Sequence, residues 1–137
     1  MDCPHFTGND PGAVPFTLDL SRRARRNSNF RTVLWTGEHL QLTVMAIPPW
    51  GEIGLEIHPE TDQLIRVEQG QAIVQMGQSP EALNIQRRIG PGEAALIPSG
   101  HWHNLRNVGN RPLKLSSLYA PPQHPRGTVH RTKEDEA

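Results

Sequence analysis

Gly92-Glu93-Ala94-Ala95-Leu96-Ile97-Pro98-Ser99-Gly100-His101-Trp102-His103, with Asn107 four residues on, is the most informative stretch of this chain. A short apolar run, a Pro-x-Gly turn and a new run carrying His103 read as two strands joined by a tight connection. A second stretch has the same grammar: Gly51-Glu52-Ile53-Gly54-Leu55-Glu56-Ile57-His58, then Asp62-Gln63, closing at Gly70. Each places metal-capable side chains on an expected strand between glycines that punctuate turns. Alternate side chains on a strand share a face, so Glu56 and His58 are expected to point the same way. By the same alternation Gln63, Ile65 and Val67 face inward, with Asp62, Leu64 and Arg66 opposite.

Working outward, the chain is a succession of short strand-like runs. They lie at 32–35, 40–47, 54–58, 63–67, 71–76, 85–89, 94–97, 102–107 and 113–119, separated by Gly and Pro. That spacing predicts an all-β sandwich or barrel. Residues 1–31 read as an irregular N-terminal arm carrying the basic run Arg22, Arg23, Arg25 and Arg26. Residues 32–121 read as the barrel, and 122–137 as a polar tail that either packs back through Val129 or stays loose.

The totals narrow the class. A chain of 137 residues fits one core. Fourteen Lys plus Arg balance fourteen Asp plus Glu, which argues against bulk binding to nucleic acid or an anionic membrane. The basic run lacks aromatic interleaving and reads as a solvated segment. Cys3 is the single cysteine, so no internal disulfide is expected. No apolar run has the length of a membrane span or a leader core, and the expected location is cytoplasmic.

The two stretches together resemble the paired motifs of the cupin family. The second matches at Gly92, Pro98, Gly100, His103 and Asn107. The first keeps the spacing of Gly51, His58 and Gly70 but has Glu56 where the family has its first His and Gln63 where it has Glu. The resemblance implies a double-stranded β-helix, the cupin jelly roll. It also implies a site for a divalent transition metal (Zn, Ni, Mn or Fe) held by Glu56, His58, Gln63 and His103. Asp62 competes with Gln63, since a bulge would bring it in. Glu52 and His101 are the candidate proton-transfer groups at the rim. Trp50 and Tyr119 are candidate mouth residues, each equally well read as packing. His5, His39, His124 and His130 show no pairing pattern.

Three functions follow as expectations. The first is a metal enzyme acting as a Lewis acid on a small polar molecule such as a sugar or sugar acid, by isomerisation or ring opening. The resemblance reaches phosphomannose isomerases and ring-opening enzymes of pectin breakdown. The second is a non-haem iron dioxygenase with an apolar pocket near Ile65, Val67, Val74 and Leu105. The third is a non-enzymatic metal- or ligand-binding module. Leu55 and Ile57, opposite the Glu56–His58 face, are expected to be covered in a homodimer.

Overall fold

In the computed structural model the described residues are 10–136. Cys3 and His5, and the first nine residues of the expected arm, lie outside them. The strands are β1 (Arg31–Thr36), β2 (Gln41–Ile47), β3 (Asp62–Gln69), β4 (Ala72–Gly77), β5 (Ile85–Ile89), β6 (Ala94–Ile97), β7 (Trp102–Asn107), β8 (Leu113–Ala120) and β9 (Val129–His130). A six-stranded antiparallel sheet runs β6-β3-β8-β2-β1-β9, and a three-stranded sheet runs β5-β4-β7. The two face each other as a double-stranded β-helix. Period-two alternation dictates what lies between them. Met45 and Ile47 on β2, Ile65 and Val67 on β3, Val74 on β4, Leu105 on β7, and Leu113 and Leu115 on β8 form one buried cluster.

Two expectations of local structure are corrected. Within the segment read as irregular, Leu20–Arg26 is a helix, α1, capped by Asp19, whose side chain accepts from the Arg22 amide at 3.1 Å. Arg22, Arg25 and Arg26 are exposed and Arg23 is half-buried, around one buried residue, Ala24, which packs with Leu34, Leu42 and Val44 on the outer face of the large sheet. The basic run is thus the exposed side of a short covering helix. The expected strand at 54–58 is instead an irregular segment tied to β7 by isolated bridges, Glu52 to Arg106 and Glu56 to His103. The tail packs back, as one of the two alternatives had it: Arg31 pairs with His130 and Thr32 with Val129, and a 3-10 turn follows at Lys133–Glu136. Among the described residues no helix is long and apolar enough to cross a membrane.

The motif residues that carry no chemistry hold the frame. Asn107, 2% exposed, donates to the carbonyls of Ile47, Pro48 and Arg111 at 3.1, 3.1 and 2.8 Å and accepts from the Gly109 amide at 2.8 Å. Asn107→Leu strands a buried amide and several carbonyls. It should lower unfolding free energy by about 3 kcal/mol in chemical denaturation without touching the site.

Candidate metal centre

Three elements converge on one point. His103 is on β7, 1% exposed. Glu56 sits opposite it, joined by reciprocal backbone bonds of 2.9 Å in each direction. His58 follows at the end of the same segment, and its carbonyl accepts from the Gly100 amide at 2.9 Å. The Gly100 turn of one motif is thereby fastened to the His58 end of the other. Asp62 contributes to that clasp: its Oδ1 accepts from the Ser99 amide at 2.8 Å. It is exposed and already engaged, so Gln63, buried on the inward face of β3, is the neighbour turned into the barrel.

The geometry is narrow. Glu56 Oε1 lies 3.2 Å from His103 Nε2 and 3.3 Å from His58 Nε2. The imidazole centroids are 5.3 Å apart, and one donor atom from each of the three residues falls within 4.8 Å of the others. Bonds of about 2.1 Å to one ion put neighbouring donors about 3.0–3.4 Å apart, so the spacing fits a single divalent metal. The protonation pattern fits as well. His103 Nδ1 is 3.1 Å from the His101 carbonyl. A carbonyl only accepts, so Nδ1 carries the hydrogen and Nε2 is left as a lone pair facing a carboxylate oxygen. Two acceptors at that distance require a proton or a cation between them. Burial alone would raise the Glu56 carboxyl, but its close contacts with His103 and His58 outweigh burial and hold it at about 2. Glu56 is therefore anionic throughout the ordinary pH range.

Gln63, the fourth expected donor, pairs across β3 and β8 with Tyr119, whose ring meets that of His58. Gln63 Nε2 donates to Ser117 Oγ at 2.9 Å, which fixes the amide with its oxygen free. Gln63 Oε1 and His58 Nε2 are both buried without a hydrogen-bond partner. Such groups are uncommon and costly, and both belong to residues of the expected ligand set.

Of the two rim candidates, Glu52 is turned away from this point. Glu52 bridges Arg106, an exposed residue of β7, whereas Glu56 bridges the buried His103. Four residues on one side answer three on the other. Gly54, at φ 109° and donating to Asn104 Oδ1 at 3.0 Å, takes up the extra residue and flips the face. Glu52 consequently lines a separate cavity of about 580 Å³ with Phe30, Ile47, Pro48 and Lys114. His101 places its Nε2 3.2 Å from Gln78 Nε2 near the surface, and its link to the centre is the backbone carbonyl that orients His103. Trp50 is 73% exposed. Ile65, Val67, Val74 and Leu105 are filled core rather than a pocket.

Tyr119 does belong here. Fully buried, its ring meets His58 edge-on at 5.8 Å and His124 at 5.2 Å. Burial raises its hydroxyl above the ordinary value, against the nearby Arg31 charge, so it stays protonated. Sequence reading passed over His124, which arrives from the tail. The available signal was on β8, where Ser117 and Tyr119 continue the inward row of Leu113 and Leu115 with polar groups.

The matches to known proteins accord with this geometry. The family model described as "Cupin domain" matches residues 43–119. The chain belongs to the cupin family. The uncharacterized protein YrkC of Bacillus subtilis is 52% identical over 126 residues, covering 92% of this chain and 68% of its own. The crystal structure of BH2720 from Bacillus halodurans superposes with a TM-score of 0.89 at 54% identity, covering 90% of this chain and 93% of that one. KdgF from a Halomonas species shares the fold alone, at 19% identity and a TM-score of 0.61 over 68% of this cupin and 80% of that chain.

The tail histidine sets a pH dependence. Burial, with the Arg31 charge, lowers His124 from 6.5 to about 4, against the opposing pull of Glu56, with His130 and His58 adding to the lowering. Between those values the unfolded chain binds the extra proton, so this contribution to stability is complete above about pH 6.5 and is lost as pH falls towards 4. The slope cannot exceed about 1.4 kcal/mol per pH unit. Denaturation of His124→Gln at pH 7 and pH 5 should show a smaller pH difference than the parent.

Proposed function

We propose that this cupin holds a divalent transition metal on Glu56, His58, His103 and Gln63 and acts on a small polar molecule. The observation that carries the reading is one carboxylate oxygen shared by two imidazole nitrogens at 3.2 and 3.3 Å, with the other nitrogen of His103 already committed to a carbonyl. An ion bound there supplies Lewis acidity towards a carbonyl or hydroxyl oxygen. The chain supplies the rest. His101, through its backbone, fixes the His103 tautomer. Ser117 orients the Gln63 amide. Tyr119, whose ring packs edge-on against His58, keeps its hydroxyl protonated and is the candidate proton donor.

Isomerisation or ring opening of a sugar-like substrate is the reaction class this arrangement serves best, because it needs only polarisation and proton movement. Two histidines with one carboxylate is also the composition of open-position non-haem iron sites, which favours an oxygenase as the second reading. Elemental mass spectrometry of untagged protein tests both. Near-stoichiometric zinc, nickel or manganese is the expected result. Iron with substrate-dependent oxygen uptake moves the oxygenase ahead, and no metal on isolation or titration overturns both.

We also propose a homodimer contact on the outer face of the six-stranded sheet. Leu64 pairs with both Leu96 and Leu118 there, and Leu96 is 71% exposed. The arm and α1 cover only the adjoining part around Leu42 and Trp35. Light scattering should give twice the chain mass for the parent and a monomer for Leu96→Glu; a monomeric parent would refute the contact.

A further inference from the structure

Among the described residues six side chains have a buried polar atom without a hydrogen-bond partner: Arg31, Thr43, His58, Gln63, His101 and His124. His58 and Gln63 belong to the candidate metal centre, and His101 is half-buried beside Gln78. The other three gather around Tyr119. His124 packs edge-on against its ring. Arg31 and Ser117 neighbour its hydroxyl. Thr43 pairs with Ser117 across β2 and β8. Alternation puts Arg31 and Thr43 on the same inward face, because Thr32 and Val44 between them pair on the outer one. They are diagonal neighbours, within reach of one ligand.

Arg31 is the unusual member. It is 1% exposed. Its Nη1 is held by Glu136 at 2.6 Å and lies 3.1 Å from His130 Nδ1, both from the C-terminal segment. That ion pair explains how the charge survives burial. It does not explain why Nε, Thr43 Oγ1 and His124 Nε2 are all left unmatched in the same region, when each costs free energy. A guanidinium offers its Nε edge as a separate face for an oxyanion, even with Nη1 engaged.

We propose that the polar tract from the metal centre past Tyr119 to Arg31 is the binding site for a small hydroxycarboxylate, with its carboxylate on the Nε edge of Arg31 and Thr43 Oγ1. A carboxylate fits better than a phosphate dianion because Glu136 has already balanced most of the Arg31 charge. Neutral His124 and the Tyr119 hydroxyl then serve the ligand's hydroxyl groups. The C-terminal segment thereby becomes part of the site, since it supplies His124 and clamps Arg31. This inference names the substrate class for the reading above and rests on it only for the far end of the ligand.

Arginine-selective 15N NMR on the full chain incubated with Zn2+ tests it, with the zinc content of each sample measured in parallel. The Arg31 Nε–H signal is assigned by its loss in Arg31→Lys or, should that variant not fold, by its displacement in Glu136→Gln. D-gluconate and acetate should move it, and D-glucitol, the neutral counterpart of gluconate, should not. Thr43→Val should weaken gluconate binding about tenfold at unchanged zinc content. A signal unmoved by both carboxylates, or moved equally by glucitol, overturns the subsite. Zinc bound without a carboxylate response leaves the metal reading standing and removes this one. A carboxylate response without zinc does the reverse.

Discussion

His103→Ala and His58→Ala should each abolish metal retention while leaving the far-UV circular dichroism of the barrel intact. His103 is the more severe test. It is the residue whose tautomer is preset by the His101 carbonyl at 3.1 Å, and it shares the Glu56 oxygen at 3.2 Å. Loss of a group that merely orients a ligand typically costs 10–100-fold in affinity, and removing the ligand itself should exceed about 100-fold. Folding should survive because neither imidazole belongs to the main apolar cluster, which draws on every strand from β2 to β8. The two backbone bonds between Glu56 and His103 are also independent of the side chain. Metal content by elemental analysis after gel filtration is the readout. Stoichiometric metal in both variants would place the ion elsewhere and dissolve the functional proposal.

The fold was legible because it is written in a local code. Period-two alternation with Gly and Pro punctuation located eight of the nine strands, since inward apolar residues and turn residues are each decided within a few positions. The 54–58 segment escaped because its irregularity comes from a partner. Only the pairing with β7 shows that four residues there answer three, and that Gly54 absorbs the difference. Glu52 was therefore read as a rim group of the centre when it belongs to the opposite face. The convergence of Glu56, His58 and His103 was legible from the spacing of the two motifs, and the choice between Asp62 and Gln63 was not. It turns on Ser99, thirty-seven residues from Asp62 in sequence. Arg31, Thr43 and His124 were invisible as site residues for the same reason. A buried polar atom without a partner is a property of the assembled barrel, and no local pattern marks it.

Gln63→Leu should move metal affinity and metal-free stability in different directions, which a purely structural glutamine would not do. In the folded chain the Gln63 amide is buried, donating through Nε2 to Ser117 at 2.9 Å and carrying an Oε1 with no partner. A buried carbonyl oxygen without a hydrogen bond is destabilising, by about 1–3 kcal/mol. Replacing it with an apolar group of similar volume removes that cost at the expense of one hydrogen bond, itself worth about 1 kcal/mol. The metal-free protein should consequently be as stable as the parent or more so, measured by chemical denaturation in the presence of a chelator. Metal affinity should fall, by about 10–100-fold, the range for a weak amide ligand or a group supporting the ion from just outside. Gln63→Glu supplies the control. It adds a carboxylate beside Glu56, so metal binding should tighten, while the metal-free chain should lose stability through repulsion between two buried acids. If Gln63→Leu instead lowers metal-free stability and leaves metal affinity unchanged, the glutamine serves the sheet through Ser117, and the centre is the three-residue set alone.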